Sequence, residues 1–573
     1  KTNELAAGGS AGATLMGGRL VNQKTTSANE RKLLNVVEEM SIASGVPMPQ
    51  VYVLDNERGI NAFAAGHTTG DAAIGVTHGC IELLSRDELQ GVIGHEFSHI
   101  LNGDMKLNLR LIGILFGILC MATVGRILLS ARSGNNKNNA VPLIGFALLI
   151  LGSVGVFFGR LIQAAVSRQR EFLADASSVQ FTRNPGGLSG ALQKIGRYSY
   201  GSKLQSEHAP DLCHMFFGNG LGDALFGAMA THPPIPDRIH AIDSTWDGKF
   251  PPLKPEQIEI VKRAALSELE HKHPPMPQIL GGILTGGVIA EGATRPPVIQ
   301  SGSVLPNLGN PTPLHLRYAE NLHAALPENL KAAAREPLDA VALIFALLLG
   351  ADEKIRAAQI AEISQCFSPA VSEKSGALFT DITQTGTGAR LPLVNLALGA
   401  LKLLSVEQFK NFSQTLDRLI QSDGQVELFE FVLQKIVRHH LAPKFTSARP
   451  AVVQFYTLKP LVPDCAVVLS ALADAGGGDA AAAQNAFAVG APYLRAPVGM
   501  EPALLPREQC AIEHLDAALD RLALAAPIIK KNLLEACARV VGADGVIQEA
   551  EAELLRAVAD TLDCPMPPLG VAA

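Results

Sequence analysis

No Cys-x-x-Cys pair occurs among the 573 residues. The eight cysteines, Cys80, Cys120, Cys213, Cys366, Cys465, Cys510, Cys537 and Cys564, stand singly. This excludes a paired-thiol metal or redox motif and reads most simply as free thiols in a reducing compartment. Basic charge is also scarce: 48 Lys and Arg against 54 Asp and Glu leave a net charge of −6, which argues against a nucleic-acid partner. The first residues carry no signal peptide and no spanning segment, only a polar, glycine-rich run from Gly8-Gly9-Ser10 to Gly17-Gly18. Beyond residue 319 β-branched alternation is almost missing, so that region reads as all-α, rich in Ala and Leu. Length alone suggests three or four domains, and 47% hydrophobic residues fit a chain that is part membrane and part globular.

One short stretch carries the chemistry, His95-Glu96-Phe97-Ser98-His99. Ser85 and Glu88 form a capping box, and Leu89, Val92, Ile93, Phe97, Ile100 and Leu101 recur at helical spacing until Asn102-Gly103 stops the run. On that helix the two histidines share a face at i and i+4 and can hold one Zn²⁺, with Glu96 beside them to act as base. The competing interpretation is a pair of core histidines beside a surface glutamate. A tetrahedral catalytic zinc needs a third protein ligand, and Glu171 in Arg170-Glu171-Phe172-Leu173-Ala174-Asp175 is the candidate. Glu171 and Asp175 again share a helical face. Two carboxylates so placed repel unless a cation or a histidine N–H takes up charge, which suits Glu171 on the metal and Asp175 behind a ligand histidine.

With Asn61-Ala62-Phe63-Ala64 before these elements and Thr231-His232-Pro233-Pro234-Ile235-Pro236-Asp237-Arg238-Ile239 after them, residues 5–245 resemble the M48 metallopeptidases, the family of HtpX-like membrane proteases and related CAAX proteases. The resemblance implies a gluzincin-type fold, mainly α with a small β-sheet, one Zn²⁺ per chain and endopeptidase activity. In that chemistry Glu96 takes a proton from the zinc-bound water and delivers it to the leaving amine. His232 would stabilise the oxyanion or visit the open zinc position, and Arg238 would form a structural ion pair near the site. Three strand-like runs, 50–54, 61–65 and 72–77, offer an edge where Asn61, Ala62 and Phe63 would meet an extended substrate, or else a plain sheet edge. His67, His78, His208, His214 and His240 show no ligand spacing.

Residues 140–159 are 20 positions without a charge, ~30 Å of helix and one bilayer core. Leu111–Gly125 is shorter, but Arg110 and Arg126 can snorkel from its ends. The expectation is a transmembrane hairpin over 107–165, inserted between the two parts of the metalloprotease domain, 1–106 and 166–247; the alternative is a buried helical pair. Lys106, Arg110, Arg160, Arg168 and Arg170 outnumber Arg126, Arg132 and Lys137, which puts the catalytic side in the cytoplasm by the positive-inside rule. A short polar turn over 130–139 joins the spans. The resemblance further implies an inner-membrane bacterial protein with another pair of spans before Lys1.

A Pro/Gly-rich linker over 248–318 precedes the all-α region 319–573. There Ile420…Asp423-Gly424…Glu430 repeats as Val541…Asp544-Gly545…Glu551 at an offset of 121, resembling a TerB-type helical module. The acidic ligands of an EF-hand are missing. The tail is a candidate to bind a regulator, a substrate or another copy. The reading that follows is a zinc endopeptidase acting on membrane or misfolded proteins at the cytoplasmic face, in protein quality control. The runner-up within enzymes is a CAAX-type prenyl-protein protease. The alternative of another class is a membrane-anchored scaffold with an inactive protease domain.

Overall fold

The computed structural model describes residues 8–22, 24–130, 141–198, 201–204, 206, 215–218, 232–252, 310–422, 427–446, 452–496 and 499–569. The 130–139 turn beyond Ser130, most of the Pro/Gly-rich linker, Asp423-Gly424, Thr231, His208 and His214 lie outside them.

Four strands form one mixed sheet, β1 (Arg19–Leu20), β2 (Gln50–Leu54), β3 (Ala62–Ala65) and β4 (Ala73–Thr77), in the order β1-β2-β4-β3. β2 and β4 run parallel, with Val51 opposite Ile74, and the outer pairs are antiparallel. Strand alternation sends Val51, Val53, Ile74 and Val76 into the main core, while Tyr52, Leu54, Phe63, Ala65 and Ala73 close a smaller core with Ala13, Met16 and Phe216. Both faces are therefore covered, the second by helix α1 (Gly9–Leu15). The two-residue β1 is too short to give a periodic signal in the sequence.

Helix α2 (Ala28–Ser44) starts at Ser27, whose hydroxyl accepts from Glu30 N, and ends at Gly45 with φ 75°. The Glu30 carboxylate does not return to Ser27 as a capping box would have it; it binds Arg19 and Thr25. After α3 (His78–Leu83), helix α4 (Arg86–Leu101) opens with the expected Ser85/Glu88 capping box. A Cβ at Gly91 would stand 2.8 Å from Leu188 N, so only glycine lets α7 (Pro185–Arg197) lie this close to α4.

The turn at Asn102-Gly103, with Gly103 at φ 68°, leads directly into α5 (Asp104–Ser130), followed by α6 (Val141–Thr182). Both are long and apolar enough to cross a membrane. They pack antiparallel through small residues, Gly125 against Gly145 and Gly152 against Ala122, while Ile114 and Leu143 are 62% and 72% exposed. α6 is unbroken for 42 residues, ~63 Å, so its last third is a rigid continuation of the apolar part. Helix α8 (Ile235–Ile242) packs on α7 and α6.

The described C-terminal elements are all helical, from α9 (Pro313–Ala325) and α10 (Glu328–Arg335) to Glu549–Thr561. Helix α9 begins six residues inside the stretch read as linker. It lies on α2, and the buried Glu38 of α2 receives Arg335 Nε and Nη2, each at 2.7 Å, and His323 Nε2 at 2.6 Å. One continuous apolar cluster joins this region to the β-sheet side of the molecule. The repeat has a structural basis. Glu430 and Glu551 both occupy position N3 of capping boxes, at the starts of helices Leu428–Phe445 and Glu549–Thr561, and these two helices pack together. Asp544 Oδ1 accepts from Val546 N, so the Asp-Gly turn is closed by its own backbone.

Candidate metal centre

Helix α4 brings His95 and His99 to one side, with Nε2 atoms 3.0 Å apart. From α6, Glu171 presents Oε2 at 3.7 Å from His95 Nε2 and Oε1 at 3.5 Å from His99 Nε2. Donors bound tetrahedrally at ~2.0–2.1 Å stand roughly 3.3 Å from one another, so three atoms at these separations can share one ion. No other such three-residue group occurs among the described residues. The donor set, two imidazoles and one carboxylate, suits zinc, and its spacing fits the ion without rearrangement of the helices.

Each histidine is oriented through its other ring nitrogen. His95 Nδ1 faces Asp175 Oδ1 at 2.9 Å, and Asp175 is gripped by Arg238, which also donates to the Phe217 carbonyl at 2.6 Å and stacks 4.7 Å above the Phe217 ring. His99 Nδ1 faces Asp104 Oδ2 at 2.8 Å, and Asp104 is paired with Arg170. A carboxylate behind each imidazole accepts from Nδ1–H and turns Nε2 toward the cluster. Asp104 was not a sequence candidate. Its signal was faint: an acid five residues after His99, past the helix stop, where helical spacing no longer predicts direction.

Glu96 is fully buried, and no side chain donates a hydrogen bond to its carboxylate. Burial, reinforced by Glu171, pushes its carboxyl up to about 8 against the pull of His99 and Arg238. Around it, burial opposes charge on Glu171, yet His232, His99 and His95 hold that carboxyl well below the usual range. For His99, burial is outweighed by Asp104 and Glu171, which raise it to about 10. Glu96 is thus a buried carboxyl of raised proton affinity beside a cluster of metal donors.

Residues 27–246 match peptidase family M48. Curated relatives include a protease HtpX homolog of Caldanaerobacter subterraneus subsp. tengcongensis, 38% identical over 218 residues, 37% of this chain and 71% of the relative. A protease HtpX homolog of Streptococcus uberis is 35% identical over 217 residues, 36% of this chain and 71% of its own. The chain belongs to peptidase family M48. A third relative, the protease HtpX homolog of Streptococcus pneumoniae, is 34% identical over 242 residues, 40% of this chain and 77% of the relative. No solved structure matches significantly.

In this M48 metallopeptidase the remaining candidates are placed as follows. His232 is buried, with Nδ1 at 3.1 Å from Glu171 Oε2, so the loop before α8 does reach the cluster. Arg238 is paired with Asp175. Asn61 is 1% exposed and its side chain is engaged within the chain, donating to the Ser202 and Gly218 carbonyls and accepting from Gly218 N and Ala62 N. Residues 215–218 run along the outer edge of β3, bridging Phe63 to Phe216, with Phe217 N donating to the Ala62 carbonyl at 2.8 Å. That edge is occupied by the protein itself. His67, His78 and His240 stand outside the cluster.

Proposed function

We propose that this M48 peptidase is a zinc-dependent endopeptidase seated at a membrane surface, cutting membrane or misfolded proteins on the cytoplasmic side in a quality-control role. The observation that carries it is the junction of site and hairpin. His99 lies five residues before the first residue of α5, and Glu171 rides on the continuation of α6, so the centre sits within roughly 20 Å of the apolar segment at helical rise. Substrates that reach it are those presented near the bilayer. The excess of basic residues at this end of the hairpin supports a cytoplasmic orientation.

His95, His99 and Glu171 would hold one zinc, which supplies a Lewis acid and lowers the pKa of a water to about 7. Glu96, dry and proton-hungry, accepts the proton of the attacking water and returns it to the leaving amine. A carboxyl whose proton affinity is raised by burial suits both halves of that duty. Asp175, held by Arg238, fixes His95. His232 stands where it can donate to the developing oxyanion. The helical tail is a docking region for a regulator, a substrate or another copy.

The test is a matched pair of purified proteins, wild type and Glu96→Gln, assayed for bound zinc and for cleavage of a membrane-protein substrate or of themselves. Zinc should be retained in both and cleavage should fall by about 10²- to 10⁴-fold in the variant. Equal activity in the two sinks the mechanism.

A further inference from the structure

His99 and Glu171 approach the cluster from different helices, and one ion pair joins those helices at their base. His99 Nδ1 meets Asp104 Oδ2 at 2.8 Å, and Asp104, the first residue of α5, is 2% exposed. The other Asp104 oxygen is paired with Arg170 of α6, whose Nη2 also donates to the Asn102 carbonyl at 3.2 Å. Arg170 immediately precedes Glu171. A closed circuit results, from His99 through Asp104 and Arg170 to Glu171, and it crosses from α5 to α6 where the apolar hairpin begins. No Asp or Glu occurs between residues 105 and 170, and Asp104 is the carboxylate on which Arg170 closes.

The backbone makes this contact possible. Asn102 Nδ2 donates to Ser98 Oγ, and Gly103 at φ 68° makes the turn between α4 and α5 that brings Asp104 beside His99. Without the turn, a residue five positions on would lie on another face of α4. His99 is also the less enclosed of the two histidines, its side chain 13% exposed against 0% for His95. It depends more on a hydrogen bond, and less on surrounding atoms, to keep its ring in place.

We propose that Asp104, held by Arg170, is a positioning residue that orients the His99 imidazole and couples metal retention to the packing of α5 on α6. This rests on the metal-centre reading above. Removing a carboxylate behind a ligand histidine costs about 10- to 100-fold in metal affinity in such sites. Asp104→Ala should therefore bind zinc that much more weakly, Asp104→Asn should recover most of the affinity because its amide oxygen still accepts from Nδ1–H, and Arg170→Gln should fall between.

The experiment uses the full chain in detergent. Zinc affinity is measured by competition with a chromophoric chelator, the visible spectrum of the Co²⁺-loaded protein reports ligand geometry, and thermal unfolding of the metal-free protein reports the fold. Weakened zinc binding and an altered Co²⁺ spectrum in Asp104→Ala, in a variant that still unfolds cooperatively without metal, and rescue of both by Asp104→Asn, is the expected result. Wild-type affinity and spectrum in Asp104→Ala overturn the proposal; if that variant does not fold, wild-type affinity in Arg170→Gln does so. Failure of the wild type itself to bind either metal would instead remove the metal-centre reading.

Discussion

Arg238 holds Asp175 with two hydrogen bonds, Nε to Oδ2 at 2.8 Å and Nη2 to Oδ1 at 2.6 Å, and both side chains are almost wholly buried. The pair joins α8, which follows the His-Pro loop, to the helix that carries Glu171. It places a full positive charge within 3.5 Å of Glu171 without making that arginine a ligand.

Arg238→Met keeps the bulk and removes the charge, leaving Asp175 buried with His95 as its remaining partner. Breaking a buried pair from one side costs about 3–5 kcal/mol, so thermal unfolding should move to markedly lower temperature and zinc occupancy should fall. A variant as stable as wild type would show that the pair is not the anchor described.

Glu38 links α2 to the C-terminal helices. Burial works against its charge, but Arg335 and His323 outweigh it and hold the carboxyl below its ordinary 4.5. A depressed folded value means stability that is complete above pH 4.5 and lost as the pH falls through the folded value. Glu38→Gln should be less stable than wild type at pH 7, and the difference should shrink on acidification, as read by unfolding temperature against pH. Parallel curves would place the acid sensitivity elsewhere.

The C-terminal helices share a core with the catalytic part, and Met48 N donates to the Asn395 carbonyl at 3.1 Å. A chain ending at residue 312 uncovers α2 and strands Glu38 without its arginine. Such a truncation should express as aggregated or protease-sensitive protein. A soluble, active fragment would mean that the tail is a removable module.

Gly152 packs on Ala122, and a Cβ there would meet Ala122 N at 2.6 Å. Gly152→Leu must push α5 and α6 apart, at a cost of about 1–3 kcal/mol or more from overpacking. The expected readout is a lower unfolding temperature in detergent, with Gly113→Leu, which faces open space, as the neutral control.

Stripping the metal with a chelator should abolish cleavage and lower the unfolding temperature, and zinc at about 100 times its dissociation constant should restore ~2.7 kcal/mol. Unaltered stability across that titration would argue that the cluster binds no ion in the folded state.

The sequence by itself determined the elements of this protein with local causes: the capped helix α4, the two apolar helices and the His95–His99 pair, because helical periodicity fixes which side chains share a face; Glu171 it offered as a candidate, and the packing of α6 on α4 brought it to them. It also yielded the repeat, whose matching glutamates are helix N3 positions. The tertiary structure alone decided what depends on long-range approach. It brought Asp104 to His99 through the Asn102-Gly103 turn, ran residues 215–218 along the β3 edge expected for substrate, and fused the tail to α2 through Glu38, His323 and Arg335. These contacts join residues on separate elements, and periodicity within one element carries no information about the distance between two.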